Sequence, residues 1–228
     1  MLKGDLKKQA ILETAEKLFF EKGYSSATID DILEVLGCSK GSLYHHFESK
    51  QHILRELCVN QANAAFRQYT ESSQPDTLSS FNSLLYHGLM IRDGQERMLS
   101  TLLPLLGTSD GDLMIAALIH GQEKLFFPEI ERLLLLLKEE KQAFWNLPAL
   151  PDLVWRTYTA FYGSMLAFAG DLMSGEKQPG KILSILEAAR FLFERTLDLP
   201  YGSMEIIRAD EALSTINQAL KHNRYLNL

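Results

Sequence analysis

The first fifty residues are cut into pieces too short to fold alone, and the cuts constrain the chain more than any other feature. Gly23, Thr28, Gly37, Ser39 and Ser49 are residues that stop or start helices. Glycine takes left-handed backbone angles cheaply, and a Ser or Thr side chain accepts from an orphaned N–H in a helix's first turn. Between these cuts, apolar residues recur three and four positions apart. Ile11, Ala15, Leu18 and Phe19 mark one face of a first helix, and Ile29, Ile32, Leu33 and Leu36 mark one face of a second. Asp30 and Asp31 fall in the first turn of that second helix, where the helix dipole favours negative charge. A third helix, read as Ser39 to Phe47, turns Leu43 and Phe47 inward, and a fourth starts at Lys50 with Ile53, Leu54 and Leu57 inward. Three short helices joined by tight glycine-containing turns make a helix-turn-helix.

The third helix carries the chemistry. Nine residues span roughly 14 Å, a length that the major groove of DNA, roughly 12 Å wide, admits. With Leu43 and Phe47 inward, the outer face presents Lys40, Gly41, Ser42, Tyr44 and His45. All but Gly41 can bond a phosphate or a base edge. Glycine in a helix loses roughly 1 kcal/mol relative to alanine. Two readings of Gly41 stand side by side: a bare Cα lets the helix approach DNA closely, or a first-turn glycine is simply tolerated. Bulk charge does not carry this reading. Residues 1–55 hold eight Lys/Arg and eight Asp/Glu, and the other fifteen Lys/Arg and twenty-one Asp/Glu give the whole net charge of -6. The basic footprint usual for a nucleic-acid binder is missing, so the pattern must do the work.

The rest of the chain reads as helix. The fourth helix continues to about residue 71, and others are expected at about 77–92, 95–106, 112–126, 128–143, 152–174, 180–198 and 203–223, with Pro128 opening one of them and loops at 144–151 and 174–180. The expected architecture is all-α: a helix-turn-helix domain over residues 1–52, and a larger helical domain over 53–228. The apolar run Leu133 to Leu137 is far too short to span a bilayer, and the N-terminus lacks the apolar stretch of a secretory leader, so no membrane partner and a cytoplasmic location are expected. Two cysteines, Cys38 and Cys58, make no disulfide framework.

Six histidines (His45, His46, His52, His87, His120, His222) show no metal-ligand spacing, and no P-loop, G-x-S-x-G or H-E-x-x-H is present, so neither an enzyme nor a bound cofactor or metal is expected. Phe126, Phe127, Phe144, Trp145, Trp155, Tyr158, Phe161 and Tyr162 suit either a core or the lining of an apolar pocket. Two stripes, Val154-Tyr158-Phe161-Met165-Phe168 and Ile182-Ile185-Leu186-Ala189-Leu192-Phe193, suit either a monomer core or a subunit contact. A nine-residue helix reads too few bases for useful specificity. A two-fold dimer, reading two half-sites about 34–36 Å apart or a multiple of that, resolves the shortfall.

The run from Gly23 to Ile32, followed by Gly37-Cys38-Ser39-Lys40-Gly41-Ser42-Leu43-Tyr44-His45-His46-Phe47-Glu48-Ser49-Lys50, resembles the DNA-binding domain of the TetR family of bacterial transcriptional regulators. The likeness covers about residues 5–60; beyond it, only the all-helical layout and the length agree. The resemblance implies that Thr28 bonds a phosphate through its hydroxyl and backbone N–H. It also implies that Lys40, Ser42 and His45 face bases or nearby phosphates, that Tyr44 reaches a phosphate with its hydroxyl, and that Lys50 holds one at a helix N-terminus. Ser39, which caps the reading helix, and Gly41 complete the contact set. Further implied are a homodimer built from two late helices of each subunit, a pseudo-palindromic double-stranded operator, and repression relieved by a small apolar effector in the C-terminal domain. The alternative is an activator or architectural DNA binder with no effector. Cys38 departs from the small aliphatic residue common in the family at its position. It is either a small buried hydrophobe or a thiol redox sensor.

Overall fold

The computed structural model describes residues 3–140, 150–175 and 179–226, and among them it shows helices and no strand. The head is built from α1 (Lys3–Lys22), α2 (Ile29–Leu36), α3 (Lys40–Tyr44) and the start of α4 (Lys50–Glu71). The body holds the rest of α4, then α5 (Thr77–Gly88), α6 (Glu96–Leu102), a 3-10 turn at Leu103–Leu105, α7 (Ser109–Glu139), α8 (Leu150–Met173), α9 (Pro179–Leu197) and α10 (Ala209–Leu226). Residue 52 lies in the first turn of α4, so head and body share a helix. Phe144 and Trp145, with most of the loop expected at 144–151 and residues 176–178, lie outside the described residues.

The helix starts and stops follow from local chemistry. Thr28, Ser39, Ser49, Asp76 and Thr108 cap α2, α3, α4, α5 and α7 through their side chains. Gly37 ends α2 at φ 60°, in the left-handed region that glycine occupies without a steric penalty.

Three expectations are corrected. The break placed at Pro128 does not occur: α7 runs through it as one helix. An interior proline costs about 3 kcal/mol, but Phe126, Ile130, Leu133, Leu134 and Leu137 are buried on both sides of it, and each such side chain returns about 1.5–3 kcal/mol. The helix expected at 77–92 stops at Gly88. Arg92 is buried beyond it, its guanidinium donating to His87 O at 3.0 Å, Asp93 O at 3.3 Å and Gln68 Oε1 at 2.5 Å, which holds residues 89–95 in a turn. The last helix begins at Ala209, not 203. Glu194, 3% exposed, accepts from the Gly202 N–H at 2.8 Å and the Met204 N–H at 3.1 Å and so keeps that segment non-helical.

A single core runs through head and body. In the head it contains Ile11, Phe19, Ile32, Leu43, Phe47 and Ile53, and in the body Phe81, Leu99, Phe126, Tyr158, Phe168 and Phe193. The α4 and α7 helices pack so closely that a Cβ on Gly121 would lie 3.1 Å from the Ala62 Cβ.

Most of the two late stripes belong to this core. Val154, Tyr158, Phe161, Met165 and Phe168 are buried on α8, and Ile182, Ala189 and Phe193 on α9. A different face is left to solvent. It carries Ala160, Gly163, Ser164 and Ala167 on α8 and Leu183, Ala188, Phe191 and Leu192 on α9. Between the two helices lies a groove of about 280 Å³, lined by Ala160, Ser164, Ala188 and Leu192 among others.

Candidate DNA-binding surface

Leu43 and Phe47 are fully buried, as their spacing requires, and this fixes which side of α3 faces out. Helix α3 itself is shorter than expected. It spans Lys40–Tyr44 and closes through a turn in which the His46 and Phe47 N–H groups both donate to Leu43 O at 2.9 Å. Ser39, Lys40, Gly41, Tyr44 and His45 are exposed and Ser42 is half-buried, so the outward residues form one patch. Ser39 accepts from the Ser42 N–H at 3.4 Å and is spent on capping. His45 is exposed and His46 half-buried, and their rings meet edge to face at 5.1 Å, so the two neighbours do not point to opposite sides.

Gly41 has no internal reason to be glycine. A Cβ there would meet nothing within 4 Å, and its backbone angle is not one that side chains avoid. Gly41→Ala is therefore expected to hold or raise the melting temperature, because alanine gains up to about 1 kcal/mol in a helix, while weakening DNA binding through a methyl group in the contact face. A calorimetric scan paired with a gel shift checks both signs; unchanged binding would return Gly41 to the merely tolerated reading.

Charged neighbours hold the patch in its DNA-free form. Lys40 Nζ lies 3.0 Å from Asp30 Oδ1, and the side chains are 61% and 72% exposed. Asp30 raises the Lys40 pKa through that bond. An exposed pair of this kind is screened by solvent and contributes little, so Lys40 can exchange Asp30 for a phosphate at little cost.

Thr28 is more committed. Its N–H donates to Asp31 Oδ2 at 2.7 Å and its hydroxyl to the same oxygen at 2.8 Å, while the Asp31 N–H donates to Thr28 Oγ1 at 3.1 Å. Lys22, at 2.6 Å from Asp31 Oδ1, and the Thr28 donors hold the Asp31 carboxyl down at about 2. Both donors expected to meet a phosphate are thus engaged by a carboxylate in the free chain.

Lys50 is half-buried. Its ammonium donates to Tyr24 O at 2.8 Å, Ala27 O at 3.0 Å and Ser25 O at 3.5 Å, and lies 4.3 Å from the Tyr24 ring centroid. Burial lowers its pKa, and burial pushes the Tyr24 phenol up to about 12. In this state Lys50 ties the N-terminus of α4 to the α1–α2 turn, a role its position in the sequence did not announce. Cys38 is half-buried and Cys58 buried; burial pushes the Cys58 thiol up to about 12, which keeps it unreactive.

Among the described residues, no group of three or more His, Cys, Asp or Glu side chains could hold a metal, and no helix is long and apolar enough to cross a membrane.

Residues 11–57 match the family described as bacterial regulatory proteins, tetR family. The same stretch aligns with curated regulators. It is similar to the biofilm operon icaADBC negative transcriptional regulator IcaR of Staphylococcus epidermidis, 41% identical over 56 residues, 25% of this chain and 30% of that protein. It is also similar to the transcriptional repressor KstR2 of Rhodococcus jostii, 38% identical over 61 residues, 27% of this chain and 30% of that one. The chain thus spans less than a third of the length of these relatives. Whole-chain likeness is to solved structures. Salmonella enterica GusR superposes with a TM-score of 0.55 at 15% identity, over 84% of this chain and 95% of that one. A TetR-family transcriptional regulator from Pectobacterium atrosepticum gives 0.52 at 16% identity, over 86% and 97%. At these identities the likeness is one of fold.

Proposed function

We propose that this chain, which belongs through its N-terminal domain to the tetR family of bacterial regulatory proteins, is a dimeric, sequence-specific DNA-binding repressor released from its operator by a small molecule. The observation that carries the DNA-binding part is the outward patch of Lys40, Gly41, Tyr44 and His45 on a helix anchored by the fully buried Leu43 and Phe47. Lys40, Ser42 and His45 are assigned to bases or nearby phosphates, Tyr44, Thr28 and Lys50 to holding the backbone, and Ser39 to capping the helix that presents them. Repression follows the printed roles of the IcaR and KstR2 relatives. The solvent-facing apolar strip on α8 and α9 supports a two-fold contact there, because small residues let helices approach closely.

The effector part rests on the body's core. Among the described residues, the buried hydroxyls of Tyr158 and Tyr162 have no hydrogen-bond partner, and each such orphan costs about 1–3 kcal/mol. An apolar ligand carrying an acceptor oxygen would offset that cost, and a ligand that prefers the head spacing unsuited to DNA would release the operator.

A gel shift on the DNA upstream of the protein's own gene, repeated with a panel of apolar ligands, tests the reading; no retardation on flanking intergenic DNA would count against a local repressor. Tyr44→Phe is expected to weaken operator and random DNA alike, by about tenfold or less for one lost hydrogen bond. If base preference changes while non-specific affinity holds, Tyr44 belongs with the base-reading residues instead.

A further inference from the structure

Helix α1 ends with carbonyls that have no partner inside the helix, as every helix does over its last four residues. Phe20 O is one of them, and its donor comes from the other end of the chain: His222 Nε2 lies 2.6 Å away. The His222 imidazole also stacks on the Phe20 ring, centroids 3.7 Å apart and planes 7° from parallel. The Arg97 guanidinium of α6 lies over the same ring at 5.0 Å.

Helix α10, which carries His222, is seated firmly on the body. Ala212, Thr215, Ile216, Ala219 and Leu220 are buried along it. Near its start, Glu211 accepts from the Tyr86 hydroxyl at 2.6 Å and the Asp93 N–H at 3.3 Å. Eleven residues, roughly 16 Å of helix, separate that anchor from His222. Helix α10 is therefore a strut with one end fixed in the body and the other capping a helix of the reading head. The head's covalent tie is α4 alone. A single helix sets a distance but bends gently along its length, so a second attachment away from it is needed to fix the angle. The head also rests on the body where α1 packs against α6 within the shared core, and through the exposed Gln51 to Asp110 contact at 3.4 Å, but His222 supplies a directional bond at the far end of α1.

We propose that His222 is a positioning residue for DNA binding, which holds the head at the angle that sets the spacing between the two half-sites. The inference rests on the dimeric DNA-binding reading above. In a two-fold assembly any rotation of the head is doubled, and one base-pair step is only about 3.4 Å, so a small loss of angular control spreads the spacings a dimer can reach. His222 touches no base in this scheme, and its removal should leave the half-site sequence alone.

In vitro selection from a random duplex pool, run with the wild-type chain, His222→Leu and His222→Gln, tests this. The wild type should return paired half-sites at one spacing. His222→Leu keeps the bulk and loses the donor. It should return the same half-site at several spacings, with discrimination between neighbouring spacings reduced by about tenfold and the melting temperature little changed. His222→Gln, whose amide can donate to Phe20 O, should restore much of the preference. Phe20→Leu, which removes the stack, should broaden the spacing as well and carries the test if His222→Leu does not fold. A single wild-type spacing retained by His222→Leu or, in that case, by Phe20→Leu overturns the inference and leaves the DNA-binding reading standing. No paired motif from the wild type overturns both.

Discussion

If the chain is the dimer proposed above, Leu192→Glu is expected to leave each chain folded, split that dimer, and lower operator affinity by about 10²–10⁴-fold through loss of the linked second half-site. Leu192 is 50% exposed in the single chain, so a carboxylate there stays hydrated and the fold should change by no more than about 0.5 kcal/mol. Within a two-fold contact on the α8–α9 face the same carboxylate meets the partner subunit. Symmetry places it in the interface twice, and each unpaired buried charge costs several kcal/mol. Phe191 and Leu183, 51% and 54% exposed, would lose their cover with it. Light scattering on a sizing column reads the mass, and a gel shift on full and single half-sites reads the affinity. The variant should match the wild type on a single half-site and fall behind only on the pair. A dimer that survives the substitution places the subunit contact elsewhere.

That face shows where sequence reading ran out. Apolar residues at three and four positions mark whatever side of a helix is buried, and on α8 and α9 the richest stripes were those of the chain's own core: Tyr158, Phe161 and Phe168, with Ile182 and Phe193. The remaining solvent face is written in small residues, Ala160, Gly163, Ser164 and Ala167. Hydropathy scores such residues near zero, although their own i, i+3, i+4, i+7 spacing was there to be read. The head was far more legible, because its signals are local. A cap bonds an N–H three residues on, and Gly37 needs its left-handed angle whatever lies around it. Helix α7 passing through Pro128 was not legible, since the burial that outweighs the proline comes from elements distant in sequence. The same holds for Lys50, whose acceptors lie 23 to 26 residues away, and for His222, 202 residues from the carbonyl it caps. Pattern yields elements and faces, but which polar group meets which carbonyl is decided only when the helices pack.

Phe47→Ala is expected to abolish operator binding by unfolding the head while the body remains assembled. Phe47 has no exposed surface. His52 meets its ring edge to face at 5.5 Å, and the Lys8 ammonium lies 5.8 Å from its centroid. Truncating a buried phenylalanine costs about 3–5 kcal/mol through lost burial and the cavity left behind. The head is small, and a whole domain's stability is only about 5–15 kcal/mol, so this loss consumes most of what holds α1 to α3 together. The core continues into the body, where Phe126, Tyr158 and Phe168 are fully or almost fully buried on α7 and α8, and that part is expected to hold without the head. Hydrogen exchange should therefore show protection lost across residues 3–47 and kept in α7 to α9, with the dimer mass intact. Here the contrast with Tyr44→Phe is informative. Both change one aromatic side chain, three positions apart: losing the exposed hydroxyl of Tyr44 should cost affinity alone, and losing the buried ring of Phe47 should cost the structure that presents the patch. Uniform loss of protection through the body after Phe47→Ala would mean that head and body unfold as one unit.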